Sequence, residues 1–413
     1  MSENVILSSG HKIMNTVLLI AFEYPPAKSA GVERTLAFSK YLTDFGWQPI
    51  VLTVKEGIYD KIDHSRKIPD HVYPFVFRSR AVNVARDLSF RGKYPDFLNI
   101  PDRWSSWILG GVFLGNDLIK KHKPDLIWST YPVASAHLLA LLLSKLHKIP
   151  WVCDYRDPMP FHYGGHKLSS MGFNRWLEKS ILKNCDRSLF VTPEMLDLYT
   201  SHYPEYSYKF NVIQNGYDEE NFNGIGDYKK NDSIFRLIHS GFLYENGRDP
   251  SPLLVALGRL KQSGKITKNN FNLIFRGDDK SSFYKDSIDN YGLTDVVNFL
   301  PSIDHRQSLI EMFSCDALLV IQGGLYKNQI PGKIYDYLRV GKPILALTPE
   351  KSSLGKFLSE FNFAMVSERP DDLVNMIDTM INNPPNVLFS VEQYSRYEKC
   401  RELAHCFDCL VRR

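Results

Sequence analysis

The feature that most constrains this chain is a rhythm: short, nearly continuous apolar runs, each followed by a helix-length segment. Val17–Phe22, Gln48–Val54, Asp125–Ser129, Trp151–Asp154 and Ser188–Val191 read as strands. Helical stretches such as Val32–Phe45, Trp104–Lys123, Ala134–Leu146 and Phe173–Asn184 lie among them, and Tyr73–Phe77 is a candidate for one more strand. A strand that is apolar along its whole length is buried on both faces, and strand–helix–strand units set consecutive strands parallel. The rhythm stops over Tyr203–Ser233, a stretch rich in Tyr, Asn, Gly and Lys with the turn Asn215–Gly216, and restarts at Phe235–His239. The predicted fold is therefore α/β, with two tandem Rossmann-like, doubly wound domains over residues 1–205 and 206–390. A last helix, 391–413, is long for a simple cap and is expected to cross back to the N-terminal domain. At 413 residues and 44% hydrophobic, the chain has material for two cores.

Charge and cysteine usage exclude several classes. Lys+Arg number 50 against Asp+Glu 46, a net +4 that does not call for nucleic acid. The six cysteines are scattered and form no disulfide framework, so they read as reduced thiols of a cytoplasmic protein. Cys400, His405, Cys406 and Cys409 lie in one helical tail without a second Cys-x-x-Cys, which disfavours zinc. Val17–Phe22 is too short for a signal peptide core and Leu138–Leu146 too short to span a bilayer.

Candidate chemistry gathers at the expected carboxyl ends of strands, where parallel sheets bind ligands. In Ile330–Leu347, Pro331 and Gly332 open a helix, Ile334 and Leu338 face the core, and Gly341 closes it. Lys333, Asp336 and Tyr337 fall on its other face. A lysine in the first turn meets the positive end of the helix dipole, a placement that suits a bound anion. Asp336 can accept hydrogen bonds from the vicinal hydroxyls of a ribose. Taken alone, the pattern fits a surface ion pair equally well, and context has to decide. Arg248 supplies context, because it too stands just before a helix start, marked by Asp249, Ser251 and Pro252. Two such cations can converge on one diphosphate.

In the first half, Gly31 opens a helix where backbone N–H groups can be approached, but the surrounding Glu23–Gly31 loop is not the Gly-x-Gly-x-x-Gly of a dehydrogenase. Asp154, the first residue out of its strand, is the candidate for orienting a ligand, whereas Arg156 and Asp157 are equally accounted for by a salt bridge and a turn before Pro158. Asp278 and Asp279 are explained by a turn, and no Asp-x-Asp is present to hold a metal. Arg78, Arg80, Arg86, Arg91 and Lys93, interleaved with Val82, Val84, Leu88, Phe90 and Tyr94, suit an anionic membrane surface and equally a solvated loop.

These segments together resemble a GT-B glycosyltransferase, close to the retaining family-4 enzymes of bacterial surface polysaccharide synthesis. The resemblance rests on Tyr24-Pro25-Pro26 with Gly31 and Arg34, Pro101-Asp102-Arg103-Trp104 with Trp107, Pro124–Thr130, Asp154–Pro158, Asn215–Asp218 and Lys333–Pro343. It implies two Rossmann-like domains facing across a cleft, a nucleotide-sugar donor on the C-terminal one and a glycan or lipid-linked acceptor on the N-terminal one. It further implies retention. The residues themselves, with Arg248 and Lys333 to offset the charge of a departing diphosphate and no Asp-x-Asp, predict activity without a metal or cofactor, and the basic and apolar stretch from Arg78 to Tyr94 predicts peripheral contact at the inner face of the membrane. By analogy Asp336 binds the donor ribose, Arg248 and Lys333 its diphosphate, and Gly31 approaches the donor; Gly332, at the start of the same helix as Lys333, is counted with the substrate-binding residues. Asp154 takes the place of a histidine found in many relatives. The family's Glu-x7-Glu is changed, with Asn328 at its first position and Asp336 at its second. That change keeps open a non-catalytic GT-B scaffold, and the same architecture also serves nucleotide-sugar 2-epimerases.

Overall fold

The computed structural model describes residues 14–89, 96–159, 168–226, 232–243, 247–277 and 281–411. The apolar runs become two parallel sheets. The first contains β1 (Asn15–Ile20), β2 (Trp47–Val54), β3 (Val76–Ser79), β4 (Leu126–Thr130), β5 (Trp151–Tyr155), β6 (Arg187–Phe190) and β7 (Phe210–Val212), in the order β3-β2-β1-β4-β5-β6-β7. The second contains β8 (Phe235–Ser240), β9 (Phe271–Gly277), β10 (Val297–Pro301), β11 (Ala317–Ile321), β12 (Ile344–Leu347) and β13 (Ala364–Val366), in the order β10-β9-β8-β11-β12-β13. In each sheet the chain builds outward from one strand and then returns to that strand's other side. The order reverses between β1 and β4 in the first sheet and between β8 and β11 in the second. These switch points leave room for a ligand at the carboxyl ends of the strands.

The chain divides into one unit of residues 1–191, 200–213 and 399–413, and a second of residues 192–199 and 214–398. The boundary follows Ile213 and not residue 205, because β7 pairs in parallel with β6 and so completes the first sheet. The stretch Tyr73–Phe77 is not one strand: Tyr73–Phe75 forms a 3-10 turn around Pro74, which has no N–H to give a ladder, and the strand starts at Val76.

The last helix runs over Arg396–Val411, shorter than expected, since Glu392–Tyr394 is a separate 3-10 turn. Its Cys400, Leu403, Ala404 and Phe407 lie in the core of the first unit with Trp47, Val51, Leu126 and Trp128. Phe407 meets Trp47 edge-on at 5.2 Å between ring centres, and the Trp47 indole N–H donates to Asp408 at 3.0 Å. The tail thus supplies apolar surface that the first 213 residues leave uncovered. All six cysteines are unpaired thiols, four of them buried. Among the described residues no helix is long and apolar enough to cross a membrane.

Because Phe407 is fully buried against Trp47, Phe407→Ala is expected to lower stability by about 3–5 kcal/mol. Urea unfolding followed by tryptophan fluorescence measures it.

Candidate functional site

The helix Lys333–Val340 is seated by Ile334 and Leu338, both buried in the core of the second unit, and its end is closed by the Gly341 N–H donating to the Tyr337 carbonyl at 3.2 Å. Tyr337 departs from the predicted polar face. It is fully buried, and its hydroxyl accepts from the Ser240 N–H at 3.0 Å while donating to the Leu319 carbonyl at 3.2 Å. Those two bonds stitch the helix to β8 and β11, on either side of the switch point. Gly332 caps the helix start, is exposed, and has nothing within 4 Å of where a Cβ would stand.

Lys333 does not point to solvent like an ordinary surface lysine. Its ammonium donates to the Ser240 carbonyl at 2.9 Å and to His239 Nε2 at 3.2 Å. Burial, aided by the charge of Arg248, pushes its pKa well below the usual lysine value. Arg248 donates through Nη1 to the Phe242 carbonyl at 3.2 Å, and its charge reaches both Lys333 and His239. The two cations lie close enough for the charge of Arg248 to act on Lys333. Like charges brought together in partial burial repel, and an anion between them relieves the cost.

Asp336 lies one turn further along, its side chain 16% exposed, with Oδ2 at 3.3 Å from Nε2 of His305, itself half exposed. The backbone around the cations is shaped by two glycines at the ends of β8 and β9. Gly277 has φ +156°, and a Cβ there would stand 2.7 Å from the Gly241 carbonyl oxygen. Gly241 has φ +131°, and a Cβ there would press on Lys333 Nζ at 3.3 Å. Nearby, Gly247, Asp249, Gln322, Gly323, Thr348 and Glu368 line a cavity of about 660 Å³. Gln322 is 2% exposed, and its Oε1 has no hydrogen-bond partner among the described residues.

The first unit corrects two expectations. Asp154 was predicted to face a ligand, but its side chain is completely buried at the end of β5. Arg34 grips it with Nη2 at 2.8 Å from Oδ1 and Nε at 3.1 Å from Oδ2, and Thr130 donates to Oδ2 at 2.9 Å. Arg34 Nη2 also donates to the Ile213 carbonyl at 2.9 Å. The carboxylate joins the helix Val32–Tyr41 to β4 and β5, and leaves no surface for an acceptor. Gly31 is needed for close approach, but by the protein itself: a Cβ would lie 1.7 Å from Glu23 Oε2 and 2.1 Å from Arg156 Nη1. Arg156 pairs with Glu23 at 2.7 Å, not with its neighbour Asp157. Asp278 and Asp279, and with them the turn assigned there, lie outside the described residues. Among those described, no group of three His, Cys, Asp or Glu is placed to hold a metal ion.

Residues 30–221 match the family model of Glycosyltransferase Family 4. That segment is similar to the Family 4 glycosyltransferases. The whole chain has the GT-B fold of two Rossmann-like units. It is similar to a glycosyltransferase from Rickettsia africae, with a TM-score of 0.65 at 14% identity, covering 96% of this chain and 99% of that one. It is also similar to Anabaena HepE in complex with UDP and glucose, with a TM-score of 0.61 at 14% identity, covering 96% of this chain and all of that one. A UDP-N-acetylglucosamine 2-epimerase-like protein of Listeria monocytogenes shares the fold, with a TM-score of 0.57 at 10% identity and 97% of both chains covered. No curated protein sequence matches. The Family 4 match ends at residue 221, so Lys333, Asp336 and Arg248 lie beyond it.

His239 was missed in the sequence because it sits inside an apolar strand, where a histidine reads as core. The available signal was its place one residue from the strand's carboxyl end.

Since Asp154 is buried against Arg34, Asp154→Ala is expected to cost about 3–5 kcal/mol of stability by stranding the guanidinium. Guanidinium chloride unfolding measures it, and an unchanged midpoint would return Asp154 to the list of ligand-facing groups.

Proposed function

We propose that this glycosyltransferase moves a sugar from a nucleoside-diphosphate sugar to a glycan or lipid-linked acceptor, with retention, in surface polysaccharide synthesis. The observation that carries the reading is the convergence of Lys333 and Arg248 at the carboxyl end of β8, one helical turn from Asp336. The diphosphate lies against the two cations and the open Gly332 helix start, and the ribose hydroxyls reach Asp336. The cavity flanked by Gly247 and Asp249 takes the sugar, and the Gln322 carbonyl oxygen accepts from one of its hydroxyls. The likeness in fold to HepE, solved with UDP-glucose, supports a nucleotide-sugar donor.

As the bond from the sugar's anomeric carbon to the phosphate oxygen breaks, its electron pair stays on the diphosphate. Lys333 and Arg248 offset that charge without a metal ion. The acceptor hydroxyl attacks from the face the diphosphate leaves, and its proton passes to the departing phosphate oxygen. The same fold serves an epimerase, for which the product is an altered nucleotide sugar with no acceptor consumed. Asn328 in place of the first family glutamate favours a third reading, a non-catalytic partner, which the inward-held Lys333 opposes.

The acceptor side works at the inner face of the membrane. Of the basic residues predicted there, Arg78 is tied to the carbonyls of Val54 and Pro25, Arg86 to Asp87 and Gly57, and Arg91 and Lys93 lie outside the described residues. The helix Trp107–His122 offers a better surface: Leu109 is 71% and Phe113 74% exposed, with Lys120 and Lys121 exposed at its end.

A thermal-shift panel of nucleoside diphosphates tests the donor site. One of them is expected to stabilise the protein by about 2.7 kcal/mol at a hundred times its dissociation constant, and to do so less in Lys333→Ala and Asp336→Ala. Equal affinity in both variants would sink the assignment. Transfer is expected to survive EDTA; activity abolished by chelation and restored by Mg²⁺ or Mn²⁺ would show a metal requirement. From an α-linked donor the product is expected to be α-linked by NMR. Selective co-sedimentation with anionic liposomes, weakened by Leu109→Ser with Phe113→Ser, is expected for the membrane surface.

A further inference from the structure

His239 is completely buried at the end of β8, its ring edge-on to Phe275 at 6.0 Å. A buried imidazole is costly unless its nitrogens find partners. Nδ1 stands 3.1 Å from the Leu319 carbonyl, which only accepts, so Nδ1 carries the proton. Nε2 is then left with a lone pair, and it stands 3.2 Å from Lys333 Nζ, which in its ammonium form only donates. The neighbouring strand thus sets the tautomer that can receive the lysine.

The consequence falls on Lys333. Its side chain is long and flexible, and its helix begins at the same residue, so nothing in the first turn by itself would aim the ammonium. His239 Nε2 and the Ser240 carbonyl, on successive residues of one strand, take two of its three N–H donors. The third remains for a ligand. The other charged and titratable groups around this pair are Arg248, from the loop before the helix Ser251–Gln262, and Asp336 and Tyr337 on the lysine's own helix.

We propose that His239 is a positioning residue: through Nε2 it holds the Lys333 ammonium at the carboxyl end of β8, aimed at the diphosphate of the donor. This rests on the reading of Lys333 as a diphosphate ligand. His239 touches neither the sugar nor the bond that breaks, and acts only through the lysine.

Inorganic pyrophosphate is the probe, since it needs no knowledge of the base or sugar. Calorimetric titration compares wild type, Lys333→Ala, His239→Phe and His239→Gln. The phenylalanine keeps a ring of similar size and deletes the acceptor, whereas the glutamine restores an acceptor. Loss of one hydrogen bond to a charged group is expected to weaken pyrophosphate binding about tenfold in His239→Phe, with His239→Gln within about threefold of wild type. In a Lys333→Ala background, His239→Phe is expected to change nothing further, because the partner through which it acts is gone. His239→Asn, able to bond Leu319 but too short for Lys333, replaces the phenylalanine variant if that one does not fold, and is expected to show the same loss. Thermal unfolding of each variant checks that the folded state is intact. Wild-type affinity in His239→Phe, or an equal loss with and without Lys333, would overturn the positioning role. A wild type that ignores pyrophosphate, or binds it as well as Lys333→Ala does, would instead overturn the diphosphate reading on which the role rests.

Discussion

A strand buried on both faces has one place to carry polar side chains, and that is its end. β11 and β12 are apolar along their whole lengths, and His239 with Ser240, Thr130 and Asp154 lie at or next to the carboxyl ends of their strands. Parallel pairing brings those ends to one edge of each sheet, and the reversal of strand order opens a gap there. Chemistry collects at the carboxyl edge because the interior has no room for it.

The two units use that edge in opposite ways. In the first it is closed: Arg34, Asp154 and Thr130 satisfy one another, and Glu23 and Arg156 lie over Gly31. Such a network is costly to bury and more costly to break, so it serves to hold helix and strands in register. In the second unit the edge is open. Lys333 is gathered inward by a neutral histidine and a carbonyl, and Gly332 beside it is bare. A cation held in partial burial near a second cation is poised for an anion, and that asymmetry is why the donor is assigned to this unit.

The C-terminal helix shows a different dependence. Its apolar residues belong to the core of a unit whose strands all lie before residue 213, with Asp408 bonded to Trp47 across 361 positions, so the first unit is complete only when the whole chain has folded. Asp102 plays a similar part locally: it accepts from the N–H and hydroxyl of Ser135, and so ties the loop before Trp107–His122 to the start of Ala134–His147. The motif that carried part of the family resemblance there is a structural tie.

The sequence by itself determined the architecture, because burial on both faces writes itself into a strand as an unbroken apolar run. The two tandem sheets, the break between them and the helix from Lys333 were all legible, since each depends on neighbours within a few residues. What only the tertiary structure decided is which polar groups face one another. Asp154 and Arg34 are 120 positions apart, Lys333 and His239 are 94 apart, and no local pattern records that the first pair is sealed while the lysine of the second stays partly exposed. Period and spacing report the face on which a residue lies. Whether that face meets solvent, a ligand or another buried charge depends on the elements packed against it, and those come from far along the chain.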